Sequence, residues 1–160
     1  MKKNILLILP ANNFSSEEFH IIKTNFAKEG FSIFLLSNTN GLCIADNGIK
    51  VKADVSIFNV HPLNFLAIVF IGGNGVRNDW DNKSYHHFAR TFLQQNRIVG
   101  AICAAPIILS RAGLLTNKNA TCFPNDKIEL EKDGVNYLDS GVVVDENLIT
   151  GQSSADSEHF

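Results

Sequence analysis

Arg97-Ile98-Val99-Gly100-Ala101-Ile102-Cys103-Ala104-Ala105-Pro106-Ile107-Ile108-Leu109 is the stretch that decides how the rest of this chain is read. Ile98 to Ile102 is an apolar run of strand length without polar alternation, which suits a strand covered on both faces. Pro106 suits the first turn of a helix, where its missing N–H is not needed. Cys103 stands at the join. Ala101, Ala104 and Ala105 leave room for a sharp bend there, the strand–turn–helix geometry that presents nucleophiles in hydrolases. A helix N-terminus beside sulfur supplies partial positive charge and free N–H groups. Such a setting favours thiolate and lowers a thiol pKa from about 8.5 to roughly 3.5–7.5. The turn should also force Cys103 to positive φ, at a cost of order 1–3 kcal/mol. The plainer reading makes Cys103 a small core residue between alanines, since free cysteine is among the most buried residue types.

Upstream, Phe65 to Ile71 is the strongest strand signal in the chain and runs into Gly72-Gly73-Asn74-Gly75. A glycine loop at the carboxyl end of a strand is where open α/β sheets bind ligands, although by itself it also reads as a tight turn before a helix. A helix is predicted from Asn82 to Gln95, and another after the elbow as far as Gly113. Nearer the start, Ile5 to Leu9 reads as a first buried strand, Pro10 to Asn13 as a loop, and about Phe14 to Glu29 as a helix. Ser15 and Glu18 are spaced as a capping box, Phe19, Ile22 and Phe26 recur at helical spacing, and Gly30 is placed to end the helix. Phe31 to Leu36 is a second strand, and Asn47-Gly48 joins two short strands, 42–45 and 49–51, as a hairpin. After Gly113 the pattern gives a strand at 120–123, a helix at 124–132 and short strands at 135–138, 142–144 and 148–150. The last two read as a hairpin at a sheet edge, and a further helix is expected from Ser154. Alternating strands and helices imply an α/β fold with a mostly parallel, doubly wound sheet.

With 160 residues, 45% of them hydrophobic and 19% charged, the chain suits one domain around one core. The net charge of −2 and the absence of a basic cluster point away from nucleic acid and from an electrostatic membrane anchor, leaving small molecules or proteins as partners. The first residues have the charged-then-apolar look of a signal peptide, but the apolar run is too short and stops at Pro10. Cys43, Cys103 and Cys122 form no CxxC or Cys/His spacing, so neither a disulfide framework nor a zinc site is expected. The chain reads as cytoplasmic with reduced thiols, and neither metal nor cofactor is expected.

Ala101-Ile102-Cys103-Ala104-Ala105-Pro106, together with the glycine loop at 72–75, resembles the nucleophile elbow and neighbouring loop of the ThiJ/PfpI superfamily. That superfamily includes a Parkinson's-disease-linked protein deglycase and PfpI-type intracellular proteases. The resemblance runs from the first strand to Gly151 and implies a flavodoxin-like three-layer sandwich, residues 1–160 as a single ThiJ/PfpI-like domain, and a homodimer. It implies Cys103 as nucleophile, and Glu18, twelve residues before Gly30, as its acidic partner, with Glu17 as the fallback. Two like charges cannot comfortably share one site, so a carboxyl beside a thiolate would be driven toward protonation. The backbone amides of Gly73 and Ala104 would form an oxyanion hole. The substrate would be a reactive carbonyl compound or a peptide, handled by a glyoxalase, deglycase or peptidase-like hydrolase. The alternative is a cysteine-oxidation sensor or chaperone-like stress protein without turnover. The chain departs from the pattern at two points. Ala104 and Phe123 occupy the positions where members carry a histidine, so no Cys–His pair is assigned. Ser153-Ser154-Ala155 replaces a Gly-Pro-Gly type turn, and the long terminal helix of members looks incomplete here.

Overall fold

The computed structural model describes residues 3–160, and Met1 and Lys2, part of the charged start, lie outside the described residues. Its central sheet is built around the strand β1, Asn4–Ile8. Along this strand Leu6 and Ile8 point into one apolar cluster, and Ile5, Leu7 and Leu9 into the other. That period-two split is what burial on both faces requires, and it explains the continuous apolar run.

After a short strand β2, Asn12–Phe14, comes the helix α1, Ser16–Lys28. The loop expected at 10–13 therefore contains strand structure, and the helix starts two residues later than its sequence pattern suggested. Ser15 is the cap: its hydroxyl oxygen accepts the Glu18 N–H at 3.2 Å. Gly30, at φ 80°, ends the helix in a Schellman turn, with Phe31 N–H donating to Phe26 carbonyl at 3.0 Å and the two rings edge-to-face at 5.7 Å. The chain then forms β3, Ser32–Leu36, and the predicted hairpin of β4, Leu42–Ala45, and β5, Lys50–Lys52. β2 and β4 pair in parallel, so a small second sheet borders the start of α1.

β6, Ala67–Phe70, is followed by a 3-10 helix at Asn74–Asp79 and by α2, Lys83–Gln94, capped by Asn82. β7, Ile98–Ile102, leads to α3, Pro106–Arg111. The downstream pattern is shorter than its sequence signals suggested: β8 covers only Asn119–Ala120, α4 only Lys127–Lys132, and β9 only Asn136–Tyr137. Pro124 starts a 3-10 turn that delays α4. β10, Val142–Asp145, and β11, Leu148–Gly151, form the expected edge hairpin, while Ser154–Asp156 makes one 3-10 turn in place of the expected helix.

The main sheet has the order β10-β11-β7-β6-β1-β3, parallel except for the β10–β11 pair. This is the flavodoxin-like three-layer sandwich. One cluster, which includes Phe70, Phe92 and Ile107, lies under α2 and α3, and the other, with Phe14 and Ile22, lies under α1. β3 extends one side of β1 and β6 the other, so the chain reverses its winding at β1. A crevice at such a point opens above the carboxyl ends of β1, β6 and β7, where α/β sheets place ligands.

Phe92 is fully buried against Phe65, at 6.2 Å between ring centroids, whereas Phe58 is 90% exposed. Phe92→Ala should cost about 3–5 kcal/mol of stability. Phe58→Ala should change it by less than about 0.5 kcal/mol, both read from urea unfolding midpoints.

Candidate active site

The bend after β7 places Cys103 at φ 62°, the left-handed conformation that the elbow requires of a residue with a Cβ. Three hydrogen bonds fix it. Cys103 N–H donates to the Gly151 carbonyl at 3.0 Å, Phe123 N–H donates to the Cys103 carbonyl at 2.7 Å, and Trp80 Nε1–H donates to the Ala104 carbonyl at 2.8 Å. Neighbouring strand and loop thus hold both sides of the strained residue. The amides of Gly73 and Ala104 are directed at the sulfur. Gly73 reaches this pose at φ 104°, with the backbone of Asn13 and Ser15 pressed against the space a Cβ would take. At Gly72 the constraint is the site itself, since a Cβ there would lie 2.7 Å from Cys103 Cβ and 2.8 Å from Glu18 Oε2.

Glu18 is fully buried on the first turn of α1. Its capping role is half of a capping box. The backbone N–H bonds Ser15 Oγ, but the Ser15 N–H donates to the Gly72 carbonyl at 3.0 Å and leaves the Glu18 carboxyl free to turn inward. There Oε2 accepts Gly72 N–H at 2.8 Å, Oε1 accepts the Ser154 hydroxyl at 3.2 Å, and the carboxyl lies against the Cys103 thiol. Glu17, the fallback, points outward and is exposed.

Burial pushes the Glu18 carboxyl up to about 7 despite the opposing hydrogen bonds from Gly72, Cys103 and Ser154. Burial, followed by the charge of Glu18, pushes the Cys103 thiol up to about 12, against the pull of the Gly73 and Ala104 amides. This corrects the expectation of a thiolate favoured by a helix N-terminus. α3 has only six residues, and desolvation outweighs what its first turn offers. Desolvation thus favours the protonated form of each group, and the two titrate as a coupled pair.

A cavity of about 180 Å³ opens onto this pair, and Ser15, Asp46, Gly73, Arg77, Phe123 and Ser154 contribute to its walls. Asp46 accepts the Ser16 N–H at 3.2 Å, and its contacts with Ser16 hold its carboxyl below the usual range. Arg77 is locked by Asp126, with Nη2 to Oδ2 at 2.7 Å and Nε to Oδ1 at 3.2 Å, and its guanidinium lies 5.9 Å from the centre of the Phe123 ring. No histidine lines the cavity. His86 is buried elsewhere, its Nε2 2.7 Å from the Trp80 carbonyl, and His20, His61, His87 and His159 are exposed. Cys43 and Cys122 are fully buried. Among the described residues, no three His, Cys, Asp or Glu side chains are grouped to hold a metal ion, and no helix is long and apolar enough to cross a membrane. A larger hollow of about 430 Å³, lined by Phe26, Phe31, Leu66, Ile149 and Phe160 among others, has no cysteine, aspartate or glutamate side chain among the described residues of its wall.

The fold brings together Cys103 of the elbow and the three residues that the family resemblance implied beside it, Glu18, Gly73 and Ala104. Ser154, Arg77 and Asp46 are wall residues that neither the sequence pattern nor the resemblance indicated. The position of Ser154, three residues beyond the carboxyl end of β11, was the available signal for it.

A parallel sandwich with a strained cysteine elbow, a buried carboxyl and two amides at sulfur defines a cysteine-elbow protein of the flavodoxin-like kind. The DJ-1/PfpI family model matches residues 3–160, and the chain belongs to that family. It is 36% identical over 152 residues to an uncharacterised protein of Methanocaldococcus jannaschii, covering 93% of this chain and 74% of that one. It is also 30% identical to a deglycase of Pyrococcus horikoshii, covering 94% and 91%. Among solved structures, a ThiJ/PfpI domain protein from Brachyspira murdochii superposes with a TM-score of 0.96 at 28% identity, covering 99% of this chain and 92% of that one. Drosophila melanogaster DJ-1beta superposes at 0.88 with 26% identity, covering 99% and 86%.

The raised carboxyl of Glu18 makes a statement about stability. Its folded pKa of about 7 lies above the ordinary 4.5, so the folded state binds the proton more tightly. Stability from this group is full at low pH and is lost as pH rises from about 4.5 through 7. Glu18→Gln removes that loss. Unfolding by urea should show the variant more stable than the parent by about 3 kcal/mol at pH 8, with the gain shrinking as pH falls through 7 and nearly gone below about 4.5. A constant difference across that range would exclude a buried, proton-binding Glu18.

Proposed function

We propose that this protein is a cysteine-dependent enzyme of the glyoxalase or deglycase type, acting on a small reactive carbonyl compound. The observation that supports this most is the pairing of Cys103 with the buried Glu18 carboxyl, beside two amides directed at sulfur. A deglycase name on relatives in Pyrococcus horikoshii and Pyrococcus furiosus points the same way. In the first step Glu18 in its carboxylate form takes the Cys103 proton as sulfur attacks the carbonyl carbon. The C–S bond forms, the π electrons move to oxygen, and the Gly73 and Ala104 N–H groups hold the developing charge. Glu18 then returns the proton to that oxygen, giving a hemithioacetal. Because proton transfer is internal to the pair, the high resting thiol pKa is no obstacle: total charge in the buried site does not change. A cavity of about 180 Å³ suits a small aldehyde or the end of a modified side chain. The chemistry needs no cofactor, and it needs a reduced thiol, in keeping with a cytoplasmic setting. A homodimer is proposed on the family resemblance, with sedimentation equilibrium as its test.

The missing histidine supports a second reading, a peroxide sensor. Phe123 stands where a base would sit. A protonated Glu18 could hydrogen-bond to an oxidised Cys103 without any turnover. Methylglyoxal consumption by the intact protein, set beside its mass after graded peroxide, separates the two. Turnover that vanishes in Cys103→Ser supports the enzyme, and gain of two oxygens at Cys103 without turnover supports the sensor.

Either reading makes Cys103 the accessible thiol. Limiting iodoacetamide followed by peptide mapping should label Cys103 before Cys43 or Cys122, whose side chains are closed to solvent. Labelling in the reverse order would defeat both readings.

A further inference from the structure

We infer that Ser154, in the turn after β11, decides on which side of the Cys103–Glu18 pair the shared proton rests: its hydroxyl donates to Glu18 Oε1 at 3.2 Å and so supports the carboxylate–thiol arrangement against the acid–thiolate one. The inference rests on the proposed role of Glu18 as proton acceptor for Cys103. It adds a positioning residue that touches neither the sulfur nor the substrate carbon.

Counting donors assigns the hydrogens. Ser15 Oγ already accepts the Glu18 N–H at 3.2 Å, so its own hydrogen is available to Ser154 Oγ, 3.5 Å away. Ser154 then keeps its hydrogen for the carboxylate. The resulting circuit starts on the Glu18 backbone, passes through two hydroxyls and ends on the Glu18 carboxylate, with every dipole pointing the same way. That direction is most favourable when the carboxyl is ionised.

The two amides at sulfur support the opposite arrangement, with the proton on Glu18. The balance between the two therefore depends on what the carboxylate receives. Gly72 N–H serves Oε2 from the main chain, and Ser154 is the side-chain donor to Oε1. The other charges facing the pair are Asp46 from the β4–β5 turn and Arg77 from the 3-10 helix after β6, while Glu17 acts weakly from the exposed side of α1. Asp46 is held ionised by Ser16, and Arg77 is engaged by Asp126.

The test measures the rate of Cys103 alkylation by iodoacetamide, an uncharged reagent, as a function of pH, with mass spectrometry confirming the site. In the parent the rate should climb with pH and level off near the point where Glu18 ionises, about 7. Above that point the carboxylate–thiol and acid–thiolate forms carry equal charge, so their ratio no longer depends on pH. Ser154→Ala weakens only the carboxylate–thiol form. The acid limb should superimpose on the parent's, the inflection should move up by about one pH unit, and the plateau should rise by the same factor, about tenfold. Ser154→Thr, which keeps the hydroxyl, should restore the parent profile. Glu18→Gln should abolish the plateau, and in that background Ser154→Ala should do nothing further.

A Ser154→Ala profile identical to the parent's, or scaled by one factor at every pH as loosened access would give, overturns the inference while leaving Glu18 as the base. A plateau that survives Glu18→Gln overturns the base assignment itself.

Discussion

Cys103 is held between two strands' worth of backbone that it does not belong to. Its N–H is fixed by Gly151 at the end of β11, and its carbonyl by Phe123 beyond β8. A residue with a Cβ at φ 62° would relax toward an ordinary conformation if either bond were missing, and sulfur would leave the cavity. The rest of the site is arranged on this fixed point. Gly72 lacks a side chain because Cys103 Cβ and Glu18 Oε2 take the space, and Gly73 adopts a conformation reserved for glycine so that its amide can face sulfur. Secondary structure supplies the position, while the strain is borne by hydrogen bonds from outside the elbow.

The chemistry proposed for this site is one of proton sharing rather than of a standing thiolate. A helix of six residues is too small a source of field to offset burial of sulfur, so both acids of the pair sit above their ordinary values. In that proposal a single negative charge distributed over sulfur and carboxyl is what lets a dry site react. A histidine at position 123 would have offered a second acceptor. Phe123 instead presents an aromatic wall backed by the Arg77 guanidinium.

Much of this was legible before any coordinates. The apolar run at 98–102 ahead of Pro106 located the elbow, because strand burial and proline chemistry are local properties of sequence. The periodicity of Phe19, Ile22 and Phe26 placed α1 for the same reason. The proton affinity of Cys103 was not legible, since it depends on how much water the whole fold excludes from one sulfur. Nor was the inward turn of Glu18, since the N–H groups of Ser15 and Gly72, 57 residues apart in sequence, are alternative donors to its carboxyl, and tertiary packing gives that place to Gly72 by directing the Ser15 N–H to the Gly72 carbonyl. Downstream of Gly113 the sequence signals overstated the strands, because short segments such as 119–120 are stabilised by a single neighbour.

One contact described above gives the molecule an optical handle. Trp80 is the chain's single tryptophan, and its indole N–H is bonded to the Ala104 carbonyl, one residue past the sulfur. Indole emission responds to the loss of such a bond and to a shift in the neighbouring guanidinium, 6.0 Å from the ring. Ultraviolet fluorescence of the untouched polypeptide is thereby a reporter of the elbow backbone, and adduct formation at sulfur can be followed in a stopped-flow cell without attaching a dye.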